Sequence, residues 1–193
     1  FIAEAIESAL NQTFKDFEFI IIDDGSTDNS QAIIERFTNV DSRFRFYKNK
    51  TNKGLAYSLN KGISLSIGKY IARMDADDIS MLDRFEKQLS FFNINPQTDV
   101  LGTGAILIDE NNHELGKKIM PSSNIEMKKH LYFNSCFFHP SVMAKKNFFL
   151  PNNLYNEKLM RSQDWFLWVD NFDKYKYSNI KEFLLKYRVN TSS

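Results

Sequence analysis

Two clusters of acidic residues follow short apolar runs in this sequence. Asp23 and Asp24 come directly after Phe19–Ile22, and the block Asp75–Asp78 comes after Tyr70–Met74. Both apolar runs are typical of buried strands. Ligands of α/β sheets bind outside the carboxyl ends of parallel strands, so these carboxylates are candidates for a binding site.

The second cluster has the spacing of a metal site. Alternate side chains of an extended chain share a face, so Asp75 and Asp77 can converge across the small Ala76. Paired carboxylates suit a hard divalent cation such as Mg²⁺ or Mn²⁺. Solvated turn and cap residues are the alternative, and we favour it for Asp28, which a helix N-cap explains fully.

A basic stretch lies between the two acidic clusters and ends at Gly54; it comprises Arg43, Arg45, Lys48, Lys50 and Lys53. A basic loop at a helix N-terminus can hold phosphate, and a solvated loop is an equally good interpretation. The sequence has neither a Walker-type lysine pattern nor G-x-G-x-x-G, so P-loop phosphotransfer and dinucleotide binding have no support.

The elements around these residues alternate between strand and helix. In the first half, the spacing predicts helices over 1–10, 33–37, 55–63 and 82–92 and strands over 17–22, 43–47 and 69–74. In the second half it predicts strands over 100–109, 140–144 and 183–189 and helices over 122–131 and 162–172. This alternation indicates an α/β domain with a mostly parallel sheet flanked by helices. We expect one domain, 1–193, whose second half, 99–193, builds the other wall of a cleft.

Composition narrows the class of protein. The 193 residues carry 25 Lys and Arg against 24 Asp and Glu, a net charge of +1 that does not favour a general nucleic-acid binder. The one cysteine, Cys136, cannot form an internal disulfide, which indicates a reducing compartment. Its apolar setting favours a buried small hydrophobe over a nucleophile. No apolar run approaches the ~20 residues of a membrane span, so we expect a cytoplasmic protein.

The ordered set of motifs resembles glycosyltransferase family 2, the inverting nucleotide-sugar transferases of GT-A fold. The matching segments are Glu4–Phe14, Asp23–Asp28, Asn52–Gly54, Asn60–Gly62, Asp75–Asp78, His139–Met143 and Gln163–Trp165. The resemblance implies a first strand before residue 1, a nucleotide-sugar-binding half over 1–98, and an acceptor-side half over 99–193.

The resemblance also implies site roles. Asp24, supported by Asp23, would contact the nucleotide base, and Lys53 and Gly54 would lie near the base or ribose. Asp75 would face the ribose or the metal, next to Ala76.

Asp77 would ligate Mn²⁺ or Mg²⁺ that bridges the donor diphosphate. Asp164 would be the catalytic base, although by residue pattern alone it is a helix N-terminal acid. His139 is a candidate acceptor-side residue or a structural histidine. Trp165 is a candidate sugar-stacking residue, with core packing favoured.

Two positions depart from the family pattern. Gln163 stands before Asp164, where relatives often have an acid, and Asn190 stands where relatives often carry histidine. Arg73 is an isolated charge in a strand, which indicates a role at the nucleotide site or a pair with a carboxylate.

The family resemblance predicts a metal-dependent transferase with a nucleotide-sugar donor, UDP-linked, and a saccharide or lipid-linked saccharide acceptor in bacterial surface polysaccharide or glycolipid synthesis. A sugar nucleotidyltransferase and a degenerate sugar-binding module are the alternatives. Basic and aromatic residues interleave over 174–188. This stretch could contact an anionic membrane at the inner face, but a strand with a solvated basic side is the favoured interpretation.

Overall fold

A computed structural model describes residues 1–38, 40–150 and 153–189. The helices are α1 (Ile2–Leu10), α2 (Ser30–Thr38), α3 (Leu55–Leu65), α4 (Arg84–Ile94), α5 (Asn124–Leu131), α6 (Lys146–Phe149) and α7 (Gln163–Asn171). The strands are β1 (Phe19–Asp23), β2 (Phe44–Lys48), β3 (Tyr70–Ala72), β4 (Ile79–Ser80), β5 (Val100–Ile108), β6 (Glu114–Lys118), β7 (Met143–Lys145) and β8 (Tyr177–Arg188). The departure noted at Asn190 falls outside these ranges.

The strands form two sheets. β1 and β2 pair in parallel as a two-stranded sheet. The larger sheet has the order β3-β7-β5-β8-β4, and β6 adds to β5. Its long central strands β5 and β8 run parallel, whereas the pairs β3–β7, β4–β8, β5–β6 and β5–β7 are antiparallel. The α/β class is confirmed, but the larger sheet is more mixed in direction than the predicted, mostly parallel one.

The largest part of the core lies between the larger sheet and helices α3, α5 and α7. Trp168 of α7 and Met127 of α5 have no exposed surface there, and Phe148 and Cys136 are equally buried. Burying a side chain of this size stabilises the fold by roughly 1.5–3 kcal/mol. The interpretation of Cys136 as a buried small hydrophobe is confirmed.

Helix α1 connects the small sheet to the larger one. Its Ile6 packs with Ile34 and Phe44 of the α2–β2 layer. At its end, the side chain of the fully buried Gln12 donates to the carbonyl of Met81 (2.7 Å) and accepts from the amide of Phe85 (3.0 Å). This helix therefore holds the turn after β4, which follows the second acidic cluster.

The basic and aromatic stretch near the end of the chain is mostly strand β8. Tyr177, Leu184 and Leu185 are buried, and β8 lies between β5 and β4. The favoured interpretation, a strand with a solvated basic side, agrees with this placement. Within the described ranges, every helix is too short or too polar to cross a membrane.

Candidate active site

Asp24 organises the loop that leads into α3. Its carboxylate accepts hydrogen bonds from the Asn49 side chain (2.8 Å) and from the backbone amides of Lys53 (2.9 Å) and Gly54 (2.8 Å). Burial alone would raise the pKa of Asp24, but these hydrogen bonds outweigh it and lower the pKa below its ordinary value. The carboxylate is therefore charged at neutral pH and holds the loop at the start of α3.

Asp23 and Gly25, on either side of Asp24, shape the turn that holds its carboxylate. Asp23 is buried, and its Oδ1 accepts from the amide of Ser26 (2.8 Å), which shapes the turn. Gly25 has φ +77°, and a Cβ there would lie 2.9 Å from backbone atoms of Thr51 and Asn52. Only glycine allows this approach of the two loops. Sequence reasoning placed Asp23, Asp24, Lys53 and Gly54 at one site, and the structure brings them together.

The second acidic cluster forms a tight group of carboxylates. Ligand atoms of Asp75, Asp77 and Asp78 lie within 4.8 Å of one another. Arg73 binds both oxygens of Asp75, one of them at 2.7 Å from Nη1. Of the two roles considered for Arg73, the pair with a carboxylate is confirmed.

The electrostatics connect this cluster to Asp164. Burial raises the pKa of Asp75 above its ordinary value despite the opposing charge of Arg73. The negative charges of Asp77 and Asp164 act on Asp75 in the same direction as burial. Asp164 is the second residue of α7 and is half-buried.

Asp78 is the buried member of the cluster. Its Oδ1 accepts from the backbone amide of Arg188 (2.8 Å), and its Oδ2 has no hydrogen-bond partner within 1–38, 40–150 and 153–189. Burial raises the pKa of Asp78 to about 7, and the charges of Asp75 and Asp77 add to this effect. Asp78 is thus a buried carboxyl group with a pKa near neutrality, next to the half-buried carboxylates of Asp75 and Asp77.

A second layer of buried cations supports the acidic turn. Arg84, fully buried, donates to the carbonyl of Arg73 (2.8 Å) and to the hydroxyl of Ser80 (2.9 Å). Burial lowers the pKa of Arg84 to about 9, and nearby Asp78 opposes that shift. The cation remains protonated at neutral pH and holds the strand that precedes the cluster.

Arg188, at the end of β8, clamps the same turn from the other side. Its guanidinium donates to the carbonyls of Asp77 (2.8 Å) and Asp109 (2.7 Å) and to Oδ1 of Asn112 (2.8 Å). It also lies 3.4 Å from the Glu4 carboxylate, and its side chain is 1% exposed. One side chain therefore joins the acidic turn to α1 and to the β5–β6 connection.

The acceptor-side candidates His139 and Trp165 have structural contacts. His139 Nε2 lies 2.8 Å from the hydroxyl of Tyr155, and burial with the nearby Arg73 charge lowers the pKa of His139 well below its usual range. The imidazole is therefore neutral. Trp165 Nε1 donates to the carbonyl of Leu131 (2.8 Å), which fastens α7 to α5 next to Asp164.

Helix α3 links the two groups of site residues. It begins after Gly54, and its Asn60 exchanges two hydrogen bonds with the backbone of Tyr155, at 2.9 and 3.0 Å. The charges of Asp75 and Asp164 both act on the Tyr155 hydroxyl, whose pKa is raised mainly by burial. The Asp24 loop and the acidic turn are thus fastened to one scaffold.

The acidic turn has the donors that a hard divalent cation requires. Among the described residues, none donates a hydrogen bond to the Asp77 carboxylate, which leaves its oxygens open. Asp75 has Arg73 on both oxygens, so it can contribute only a remaining lone pair. Asp78 is the third residue of the cluster, and among the described residues no group bonds its Oδ2. The residues therefore fit a cation held chiefly by Asp77, with Asp75 as a weaker ligand.

Comparison with known proteins decides the family. The sequence profile of glycosyl transferase family 2 matches residues 1–157. The chain belongs to this family. The predicted enzyme class, a glycosyltransferase, is confirmed at the level of the family, which disfavours the alternative of a nucleotidyltransferase.

Two named relatives are also glycosyltransferases. The uncharacterized glycosyltransferase MJ1057 of Methanocaldococcus jannaschii is 40% identical over 98% of this chain and 66% of its own length. The O-antigen biosynthesis glycosyltransferase WbnJ of Escherichia coli is 34% identical over 98% of this chain and 74% of its own. The chain spans about two thirds of the length of these relatives.

The similarity to solved structures concerns the fold. TarS 1–349 of S. aureus, in complex with UDP, superposes with a TM-score of 0.79 over 98% of this chain and 56% of that one, at 20% identity. The predicted GT-A fold is confirmed.

Proposed function

We propose that this chain is the catalytic domain of an inverting glycosyltransferase that moves a sugar from a UDP-sugar to a hydroxyl group of a saccharide or lipid-linked saccharide. The setting proposed is surface polysaccharide or glycolipid synthesis, as the name of WbnJ suggests. The observation that carries the proposal is the group of three carboxylates, Asp75, Asp77 and Asp78, whose ligand atoms lie within 4.8 Å of one another in a chain of this family.

The donor side is residues 1–98. The Asp24 carboxylate keeps unused lone pairs after its three hydrogen bonds, which can accept from the donor base, while Asp23 holds the turn behind it. Lys53 and Gly54 flank the base or ribose. Asp77, with Asp75, would hold Mn²⁺ or Mg²⁺. When bound, the cation would offset the charge that develops on the nucleoside diphosphate as it leaves.

The acceptor side is residues 99–193, with Asp164 as general base. The acceptor oxygen attacks the anomeric carbon, its proton passes to the Asp164 carboxylate, and the bond from that carbon to the diphosphate oxygen breaks. A single displacement inverts the anomeric configuration. Trp165 and His139 shape the wall of this half rather than move the proton. Trp165 is bonded to Leu131, and the lowered pKa of His139, which is bonded to Tyr155, makes it a weak base.

The test uses calorimetric titration of the full-length protein with UDP and with GDP, each with and without Mn²⁺. We expect UDP to bind in a manner that requires the metal, because Asp77 supplies the open carboxylate. Asp77→Asn should abolish the metal-dependent part of binding, and the exposed Asp16→Asn should leave it unchanged. Equal affinity in Asp77→Asn and the native protein would defeat the metal assignment. No binding of any nucleotide would favour a degenerate module.

A further inference from the structure

Helix α5 has apolar residues on two opposite sides. Met127 and Leu131 face the core and are 0% and 5% exposed. Ile125 and Tyr132 lie seven residues apart, two helical turns, on the outer side, and each is 71% exposed. Phe133, directly after the helix, is 84% exposed. Packing of the fold explains the inner pair, whereas the described part of the chain leaves the outer three side chains largely exposed.

A groove of about 550 Å³ runs beside these side chains. One of its walls is the chain segment before α5, and the other is α5 itself. Its lining residues are Ile119, Met120, Pro121, Ser122, Glu126, Lys129, His130 and Lys181. We call this groove, together with Lys118, which directly precedes its first lining residue, and Ile125, Tyr132 and Phe133, the α5 face.

The α5 face is locally basic although the chain is almost neutral. Lys118, Lys129 and Lys181 make no ion pair with any residue in the described ranges. The two nearby glutamates are already engaged. Glu114 lies 3.6 Å from Lys117, and Glu126 caps α5 by accepting from the Ser123 hydroxyl (2.8 Å). Glu126 keeps its negative charge, but Lys118, Lys129 and Lys181 outnumber it, so this side of the molecule carries a net positive charge next to exposed apolar side chains.

We propose that the α5 face docks on an anionic lipid bilayer. Apolar and aromatic side chains can enter the boundary between headgroups and acyl chains, while lysines reach anionic headgroups. The negative surface potential of such a bilayer attracts each nearby lysine. An apolar protein partner could also bind Ile125, Tyr132 and Phe133. Such a partner would not need the nearby lysines, whereas an anionic bilayer attracts them.

The position of the α5 face relates this docking to the proposed chemistry. The Trp165 indole, next to Asp164, is bonded to the carbonyl of Leu131, and Tyr132 follows Leu131 directly. Docking would therefore hold α5 on the bilayer together with α7, the helix that carries the proposed general base, on the side from which a lipid-linked acceptor would come. This last step rests on the proposed function; the docking itself does not.

The test is co-flotation of the full-length protein with vesicles, in the absence of any donor. One set contains phosphatidylcholine alone and the other phosphatidylcholine with phosphatidylglycerol. We expect flotation with the anionic vesicles only, weakened by high salt. Tyr132→Ser combined with Phe133→Ser should reduce the partition coefficient at least tenfold, and Lys118→Gln, Lys129→Gln and Lys181→Gln together should reduce it by about fivefold per lysine.

Matched controls use equally exposed residues elsewhere. Ile67→Ser with Ile94→Ser replaces side chains that are 80% and 79% exposed, and Lys15→Gln, Lys69→Gln and Lys158→Gln remove three cations outside the face. Both controls should float like the native protein. Equal flotation of the α5-face variants and their controls would overturn the proposal. So would a failure of the native protein to float, or a concentration-dependent dimer in sedimentation that the Tyr132 and Phe133 changes abolish. Each variant is also titrated with UDP. A variant that binds UDP like the native protein has kept its proposed donor site, so its change in flotation reports on the α5 face alone.

Discussion

At the scale of single residues, Asp164 is the carboxylate on which the proposed chemistry depends. Asp164→Asn keeps the size of the side chain but removes the group that accepts the acceptor proton. We expect UDP-sugar binding to be unchanged in titration and transfer to fall by a factor of roughly 100 or more, as for loss of a general base. Asp170→Asn, on the exposed part of the same helix, is the control and should remain active. An active Asp164→Asn enzyme would rule out this residue as the base.

Because of Asp78, the free energy of unfolding should depend on pH, and the raised pKa fixes the direction of that dependence. Its pKa in the folded protein is about 7, against an ordinary value of 3.8, so the folded state holds a proton that the unfolded state releases between these values. The contribution of Asp78 to the free energy of unfolding is therefore present at low pH and is lost as pH rises from about 4 through 7. The raised pKa of Asp75 acts in the same direction.

Asp78→Asn should remove most of this contribution, because asparagine can keep the Oδ1 bond to the Arg188 amide without titrating. We expect the variant to gain stability relative to the native protein as pH rises, by on the order of a few kcal/mol in total. Urea unfolding between pH 4.5 and 7.5 in EDTA measures the difference. A difference that does not change with pH would show that Asp78 does not titrate in this window.

At the scale of elements, β8 supplies the clamp that holds the acidic turn. Arg188→Gln would leave the carbonyls of Asp77 and Asp109 without their buried partner. We expect a loss of about 3–5 kcal/mol in the free energy of unfolding, as for breaking a buried charged network.

Arg43 provides the comparison for this variant. It also bonds a carboxylate and a carbonyl, those of Asp41 and Leu10, but its side chain is 21% exposed. Arg43→Gln should therefore lower the free energy of unfolding by roughly 1 kcal/mol or less. Urea unfolding of both variants checks the contrast, and equal losses would mean that burial of Arg188 is not what makes its network strong.

Helices and strands whose apolar residues recur at a regular spacing could be predicted from the sequence. The short strands and buried arginines that hold the candidate site could not. The strand over 100–109, the helix capped by Ser123 and the loops after β1 and β3 lie where their patterns indicate. The two-residue strand β4 is too short to show an alternation of apolar and polar residues, and the polar strand β6 lacks one, so neither could be predicted. The helix predicted over 82–92 begins two residues later, at Arg84, and Leu82 is 58% exposed.

The buried cations show the same limit. Arg84 and Arg188 read in sequence as ordinary surface charges, and only the packing of distant segments encloses them. The carboxylates themselves were predictable because type and spacing carried the signal: Asp24, Asp75 and Asp77 are placed as expected relative to their strands.

At the scale of the whole molecule, both halves of the chain contribute to one structure. Strands β3 and β4 of the first half pair with β7 and β8 of the second. Gln88 of α4 donates to the carbonyls of Leu101 and Ser141 while fully buried. Unfolding of either half would therefore expose unpaired polar groups of the other, which predicts a single cooperative transition.

Tryptophan fluorescence and amide exchange can test this prediction, because they report on different parts of the chain. Trp165 and Trp168, the two tryptophans, both lie on α7 in the second half, whereas amide exchange in β1 reports on the small sheet. We expect fluorescence, circular dichroism and β1 amide protection to be lost at the same urea concentration, as in a two-state transition. Gln12→Ala, which removes the bonds from α1 to Met81 and Phe85, should lower that midpoint for all three probes together. Loss of β1 protection at a clearly lower urea concentration than the tryptophan signal would instead show that the small sheet unfolds by itself, so that the loop held by Asp24 could open while α7 stays folded.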